Sequence, residues 1–185
     1  HQATADTVEA LSLGPSGFGE DVLAAADDRP AEEIDVELSE DDDALIIYTS
    51  GTTGKPKSAL FDHHRIVWVA VNSIIYHGLR QYDRILHVAP LYHSAALNLL
   101  FFPGTMLAAH QVIHSTFVPD DVLAAMEEQR ISVFFGVPTM YAFLLRTPSL
   151  ATRDTPSLRA ARFGAAPVPG TVAERLVEAF PTTEL

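Results

Sequence analysis

The feature that most restricts the fold is an alternation of strand-like and helix-like patterns between residues 44 and 185. Short apolar runs of strand length alternate with longer segments in which apolar residues recur every three or four positions. Strands separated by helices usually pair in parallel, because a crossover returns the chain to the same end of the sheet. The sequence therefore predicts an α/β fold: layered, with a mainly parallel sheet and flanking helices.

The apolar run at 44–48 predicts a buried strand, and 58–61 would return beside it as its partner. A helix is predicted over 64–79, ending near Gly78. Residues 97–102 fit either a helix or a strand. Further strands are predicted at 83–89, 107–113, 131–137 and 158–163, and further helices at 21–26, 119–130, 138–145 and 170–180. The apolar faces predicted for helices 64–79 and 170–180 comprise Ile66, Val67, Ala70, Val71, Ile74 and Ile75, and Val172, Leu176, Val177 and Phe180, respectively.

Charge divides the chain near residue 43. Residues 1–43 hold 14 Asp or Glu and one basic residue, a net charge of −13, whereas residues 44–185 carry a net charge of +1. We therefore predict an acidic, partly irregular lead segment over 1–43 and a folded part over 44–185. The acidic segment would repel nucleic acid and anionic membranes, so neither is an expected partner.

The chain contains no Cys, which excludes a disulfide framework and thiolate chemistry. No apolar run is long enough to cross a bilayer, so no transmembrane segment is expected. Residues 1–30 lack the basic start and apolar core of a signal peptide, and we expect a cytoplasmic protein. Because the sequence begins with His1 and not with Met, we also expect a piece of a longer protein.

A loop rich in glycine, hydroxyl groups and lysine, YTSGTTGKPK at residues 48–57, follows the first predicted strand. Glycines let the backbone approach a ligand closely, and successive backbone N–H groups form a concavity for anions. The hydroxyls and lysines add hydrogen-bond donors, which fits a polyphosphate. The loop is not of the Walker type, because that pattern would need Gly at Thr49 and has no place for Pro56.

Four stretches together resemble the adenylate-forming superfamily, which contains acyl-CoA synthetases, adenylation domains of peptide synthetases, and luciferases. YTSGTTGKPK resembles the signature of that superfamily, and APLYH at 89–93 resembles its Pro-Leu-aromatic-His loop. FFGVPTMY at 134–141 resembles a strand and turn that line the acyl pocket, and RFGAAPVP at 162–169 resembles its Gly-Gly-Ala-Pro turn. This resemblance identifies residues 44–185 as the central, incomplete part of an AMP-binding domain. The chain would then be an internal fragment of the large N-terminal domain of an acyl-CoA ligase.

The resemblance implies that ATP and Mg²⁺ convert a carboxylic acid, fatty or aromatic, to an acyl-adenylate, whose acyl group then passes to coenzyme A. It assigns His93 to catalysis and to gating of the substrate pocket, which Gly136 and Val137 would line. It assigns the phosphates of ATP to Thr49, Ser50, Gly51, Thr52, Thr53, Gly54 and Lys57, and the adenine or ribose to Gly164, Ala165, Ala166 and Pro167. No metal ligand is assigned here, since the Mg²⁺-binding Glu of the family lies in a Tyr-Gly-x-Thr-Glu segment that this chain lacks.

The chain departs from the family pattern at two glycines: Ser58 follows the signature, and Ala165 replaces the second glycine of the later turn. His110 and His114 have the spacing of a zinc helix, but HQVIH lacks the Glu of that motif and reads as a strand, so we predict no metal site there. Two alternatives remain open: an adenylation domain that loads a carrier protein, and a nucleotide-binding or assembly module without catalysis. We expect the isolated fragment to be inactive and to self-associate through exposed apolar surface.

Overall fold

A computed structural model describes residues 11–12, 20–27, 29, 36–49, 55–164 and 166–185. The chain divides into two compact units, residues 1–38 and 39–185, so the division precedes the predicted end of the acidic segment at residue 43. In the first unit, strands β1 (Leu11–Ser12) and β2 (Glu20–Asp21) pair in parallel. Helix α1 (Val22–Asp27) follows directly, close to the helix predicted at 21–26.

The second unit begins with an antiparallel hairpin of β3 (Asp43–Thr49) and β4 (Lys57–Asp62). This hairpin confirms the predicted pairing, but the prediction that its first strand is buried is wrong. Ile46 lies opposite Leu60, and these two side chains remain 53% and 50% exposed. Directly opposite residues share one face of a sheet. Since the two strands form a separate two-stranded sheet, the described part of the chain leaves this apolar face open to solvent.

A four-stranded parallel sheet forms the centre of the second unit, with the strand order β6-β5-β7-β8. Its strands are β5 (Arg84–His87), β6 (His110–Ile113), β7 (Val133–Gly136) and β8 (Ala160–Phe163). All four strands lie within segments that the sequence predicts as strands. The α/β fold with a mainly parallel sheet is therefore confirmed.

Helices connect the strands, and the predicted ends of the first long helix agree closely with the structure. The Asp62 carboxylate caps its N-terminus by accepting the Arg65 N–H at 2.7 Å, and Gly78 ends it with a left-handed φ of 59°. The segment that the sequence left undecided at 97–102 is helical, a π turn followed by the first residue of the next short helix. The helical elements are α2 (His63–His77), α3 (Ser94–Ala96), the π turn (Leu97–Phe101), α4 (Phe102–Met106), α5 (Pro119–Glu128), α6 (Pro138–Leu144), a 3-10 turn (Pro148–Thr152) and α7 (Gly170–Ala179).

Two apolar cores cover the two faces of the parallel sheet. On one face, Leu86 and Phe134 pack with residues of α5, α6 and α7. On the other face, Ile85 and Phe135 pack with the π turn and with the end of α2. This three-layer arrangement is the one that parallel sheets require, because both of their faces must be covered. No helix in the described ranges is long and apolar enough to cross a membrane.

Part of the predicted helix faces is exposed. Ala70 and Leu176 are fully buried as predicted, whereas Val67, Ile75 and Val177 are each about half exposed or more. The prediction that Val177 is buried is wrong, and Val67 and Ile75 of the predicted face of α2 are also exposed, because each helix packs against its neighbours along an arc narrower than its apolar stripe. Periodicity identifies the apolar side of a helix but does not give the width of the contact.

Candidate functional site

The carboxyl-end loops of the parallel sheet bring three of the four motifs to one edge. His93 lies in the loop after β5, Val137 follows β7, and Gly164 follows β8. Because the strands are parallel, these loops leave the sheet on the same side, and β7 lies between β5 and β8. The carboxyl edge of an open α/β sheet is the usual place for a ligand.

The base of the glycine-rich loop lies on the hairpin. Thr49 and Lys57 are cross-strand partners, and the Thr49 hydroxyl donates to the Lys57 carbonyl oxygen at 3.4 Å. Both residues are exposed, as is Lys55, so the hydroxyl and ammonium donors at the loop base are open to solvent. The predicted phosphate-binding residues Ser50, Gly51, Thr52, Thr53 and Gly54 lie outside the described residues, and so does Ala165.

His93 caps the helix that begins at α3. Its Nδ1 atom accepts the backbone N–H of Ala95 at 3.2 Å. A neutral imidazole carries one proton, and the nitrogen that accepts a hydrogen bond cannot hold it. The proton of neutral His93 therefore lies on Nε2, and the exposed ring offers a hydrogen-bond donor there. This arrangement suits stabilisation of an oxygen more than proton abstraction.

The two glycines of the predicted site meet different surroundings. A Cβ atom on Gly136 would lie 3.1 Å from the Phe134 ring and 3.3 Å from the Tyr141 ring, on the side of the sheet covered by α5–α7. A Cβ atom on Gly164 would lie 3.5 Å from the Phe135 ring, at ordinary contact distance. A side chain at Gly136 would therefore make the Phe134 and Tyr141 rings shift slightly, whereas a Cβ atom at Gly164 would fit at ordinary contact distance. Of the other predicted nucleotide-binding residues, Ala166 and Pro167 are exposed.

Glu184 is engaged in an ion pair with Arg162. Its Oε1 atom lies 2.8 Å from the Arg162 Nη2 atom, and the hydrogen bond and charge of Arg162 lower the pKa of Glu184. Its main chain forms a parallel bridge to Ala160, on the side of β8 away from β7. This pairing fits a structural role for Glu184.

A buried polar group that the sequence analysis missed lies at the end of β5. The His87 side chain is buried, its Nε2 atom lies 2.9 Å from Gln111 Oε1, and its Nδ1 atom is buried without a partner. Burial lowers the pKa of His87, and the Gln111 hydrogen bond opposes that effect. The only sequence signal was a single histidine within an apolar segment. That segment was predicted as a strand, and the histidine was not considered separately.

A metal centre does not form in the described ranges, where no group of three or more His, Asp or Glu residues could hold an ion. His110 belongs to β6, so the pair with His114 does not lie on a helix, in agreement with the sequence analysis. The described ranges therefore offer no such cluster of side chains to a metal ion.

A family model described as "AMP-binding enzyme" matches residues 2–185. A feruloyl-CoA synthase from Amycolatopsis is 39% identical over 94% of this chain, which covers 35% of the relative. An indoleacetate–CoA ligase from Aromatoleum aromaticum is 41% identical over 72% of this chain and 25% of the relative. The crystal structure of ATP-bound MatB from Rhodopseudomonas palustris superimposes with a TM-score of 0.77 at 30% identity, over 90% of this chain and 32% of that one. The chain thus spans about a third of the length of the first of these relatives.

Proposed function

The chain belongs to the AMP-binding enzyme family, and we propose that it forms part of an ATP-dependent ligase that joins an aromatic carboxylic acid to coenzyme A. The observation that carries this proposal is the shared carboxyl edge of β5, β7 and β8, from which the loops with His93, Val137 and Gly164 leave together. Such an edge is the usual place for a ligand in an open α/β sheet, and a nucleotide and an acyl group would bind there side by side.

The proposed reaction has two steps. In the first, a carboxylate oxygen attacks the α-phosphorus of ATP, forming an acyl-adenylate and releasing pyrophosphate. In the second, the thiolate of coenzyme A attacks the acyl carbon, and AMP leaves with the electron pair of the broken C–O bond. Both displacements depend mainly on positioning the reactants and on neutralising developing charge.

Residues of this chain would act chiefly as hydrogen-bond donors. Lys57, and the Thr49 hydroxyl once its proton turns away from the Lys57 carbonyl oxygen, would contact the phosphates together with residues 50–54. The Nε2–H of His93 would donate to an oxygen of the carboxylate or the adenylate. Gly164 to Pro167 would lie against the adenine or ribose. These roles come from the family resemblance, and the donor geometry of His93 and the exposure of Thr49 and Lys57 support them.

An aromatic acid is the substrate class that the relatives favour. The feruloyl-CoA synthase and the indoleacetate–CoA ligase are both named for ring-bearing acids, and both are about 40% identical to this chain. A fatty acid is the competing substrate, because a long-chain-fatty-acid–CoA ligase from Mycobacterium tuberculosis is also 32% identical to this chain.

Pyrophosphate exchange tests the proposed function. The complete protein that contains this chain should exchange labelled pyrophosphate into ATP when ferulate is present, and much less with a saturated fatty acid of similar length. A Lys57→Ala variant should lose most of the exchange, whereas Lys55→Ala serves as a matched control for a change of charge. Equal exchange with no acid added, or exchange only with fatty acids, would contradict the proposal.

We expect the 185-residue chain alone to show no exchange, because it spans only about a third of its relatives. We also expect it to self-associate through the hairpin face of Ile46, Tyr48 and Leu60, which are all at least half exposed. Light scattering at several concentrations measures this directly. A concentration-independent monomer mass would refute self-association without affecting the proposed activity.

A further inference from the structure

A series of side-chain hydrogen bonds runs from the end of β5 to the π turn. His87 Nε2 lies 2.9 Å from Gln111 Oε1 on the neighbouring strand β6. Gln111 Nε2 donates to the Thr105 hydroxyl at 3.0 Å, and that hydroxyl donates to the Phe101 carbonyl oxygen at 2.9 Å. These three bonds form a relay from a buried histidine to the last residue of the π turn.

The direction of each bond in the relay is fixed by the groups involved. The Thr105 hydroxyl has a single proton, which goes to the Phe101 carbonyl, so it can only accept from Gln111. The Gln111 amide must therefore turn its NH₂ group to Thr105 and its oxygen to His87. His87 consequently donates from Nε2 and leaves Nδ1 as an acceptor, which agrees with the buried, unpartnered Nδ1 atom. Hydrogen bonds aligned in this way strengthen one another.

The relay ends at Phe101, about two turns of the chain after His93. The Phe102 N–H closes the π turn on the Leu97 carbonyl, and the Leu97 N–H bonds to the His93 carbonyl at 3.1 Å. The His87 ring also packs edge-on against the Phe101 ring, with centroids 5.9 Å apart. His87 therefore holds this helix by a ring contact and by a hydrogen-bond relay. A π turn within a helix is frequent at functional sites.

We propose that His87 is a positioning residue for the ligand site: it secures the π turn to the parallel sheet and so fixes the orientation of the His93 imidazole. This inference rests on the proposed function only where it treats the surroundings of His93 as a ligand site, because the hydrogen-bond relay forms without any ligand. The relay and the Phe101 contact hold His87 at one end of the loop, and the helix cap holds His93 at the other end. The donor at His93 Nε2 is thereby pre-organised before any ligand binds.

Thr105→Val tests the relay at its exposed end, because valine keeps the shape of threonine and removes the hydroxyl. The matched control is Thr147→Val, since the Thr147 hydroxyl makes the same kind of bond to the Phe143 carbonyl at 2.9 Å on α6, away from the relay. Thr105→Ser should restore the wild-type behaviour. His87→Leu removes the head of the relay, and His87→Gln retains a donor toward Gln111.

The first measurement is the ¹⁵N NMR spectrum of the His93 ring in the ligand-free complete protein. Thr105→Val and His87→Leu should move the His93 Nδ1 and Nε2 shifts toward a mixture of tautomers, whereas Thr147→Val should leave them unchanged. The second is pyrophosphate exchange by the complete protein, where Thr105→Val should raise the KM for ferulate roughly tenfold and leave the KM for ATP unchanged.

Wild-type His93 shifts in both relay variants, or equal displacement by Thr147→Val, would overturn the inference about His87. If His87→Leu fails to fold, the Thr105 variants still decide the question. Loss of ferulate-dependent exchange in the unaltered complete protein would overturn the proposed function alone, because the NMR measurement needs no ligand. A rise in both KM values together would assign the relay a purely structural role and refute the positioning role.

Discussion

The Tyr141 hydroxyl lies 3.0 Å from the Arg162 carbonyl oxygen and 3.2 Å from the Phe134 carbonyl oxygen, so one side chain of α6 contacts two adjacent strands. Tyr141 is almost fully buried, and burial raises the pKa of its phenol. Its ring packs edge-on against the Phe134 ring, with centroids 5.4 Å apart. Tyr141 thus joins β7 to β8 close to the point where the Val137 and Gly164 loops leave the sheet.

Removal of the Tyr141 hydroxyl should destabilise the fold modestly. We expect Tyr141→Phe to lower the free energy of unfolding by about 1 kcal/mol, the usual net worth of one hydrogen bond. Tyr141→Ala should cost about 3–5 kcal/mol, since it also leaves a cavity. Urea unfolding followed by circular dichroism measures both changes. Tyr82→Phe is the control, because Tyr82 is 90% exposed, and a cost there equal to that of Tyr141→Phe would contradict this account.

The two glycines at the sheet edge should respond differently to alanine. Gly136→Ala would place a Cβ atom 3.1 Å from the Phe134 ring, so buried rings must shift at a cost of about 1–3 kcal/mol. Gly164→Ala meets only an ordinary contact at 3.5 Å and should change stability by less than about 0.5 kcal/mol. Thermal and urea unfolding of the two variants measures the difference.

ATP affinity, in contrast to stability, should be more sensitive to alanine at Gly164 than at Gly136. If Gly164 lies against the nucleotide, Gly164→Ala in the complete protein should weaken ATP binding despite its wild-type stability. Calorimetric titration with ATP measures this effect. Equal destabilisation by both alanines would contradict the packing argument, and unchanged ATP affinity in Gly164→Ala would remove that residue from the proposed site.

Local patterns in the sequence predict most elements of the fold. The helix over His63–His77 follows from apolar spacing and from Gly78, and the parallel strands follow from short apolar runs between helices. The exposure of Ile46 could not be predicted in this way. An apolar strand reads as buried whether or not a neighbouring layer covers it, and coverage depends on tertiary contacts that periodicity does not contain.

The residues of the candidate site that lie within a sequence motif could be predicted from the sequence. His93 and Gly164 were identified by the stretches around them, and parallel topology places their loops on one edge. His87 was not identified, because its role depends on Gln111 of the adjacent strand and on Thr105 of the helix above. Such a relay exists only once register and packing are fixed. A histidine inside an apolar strand is the one sequence signal that could have drawn attention to it.

Asp83 should be among the most sensitive charged residues of the second unit. Its side chain is 3% exposed and accepts hydrogen bonds from Ser132 Oγ at 2.7 Å and from Arg159 Nε at 2.9 Å. Burial would raise the pKa of Asp83, but these hydrogen bonds outweigh it and lower the pKa. We expect Asp83→Asn to destabilise by roughly 3 kcal/mol, because Arg159 loses its charged partner.

Urea unfolding at neutral pH measures the effect of Asp83→Asn without screening the ion pair. Glu128→Gln is the matched control. Glu128 is mostly exposed, its contact with Arg153 is 3.8 Å long, and its loss should cost less than about 0.5 kcal/mol. A smaller effect for Asp83→Asn than for Glu128→Gln would show that the buried cluster contributes little to stability.

Acidification from pH 8 to pH 5 should destabilise the second unit through its histidines. Burial is the main cause that lowers the pKa of both His87 and His77, and the Arg162 charge lowers the pKa of His77 further. The unfolded chain therefore takes up protons near pH 6.5, while the folded chain stays neutral at these rings. Stability is complete above that pH and falls as the pH drops below it, by at most about 1.4 kcal/mol per pH unit for His87. The half-exposed His77 should add less.

Urea unfolding midpoints at pH 8, 7, 6 and 5 measure this dependence. The window avoids the carboxylates, because Asp83, Glu127 and Glu184 have lowered pKa values and lose their contribution only at more acidic pH. His87→Gln keeps a donor toward Gln111 but cannot titrate, so its midpoint should change less between pH 7 and pH 5 than that of the wild type. A midpoint that stays constant or rises on acidification would show that His87 is protonated in the folded chain, which would be incompatible with its buried, unpartnered Nδ1 atom.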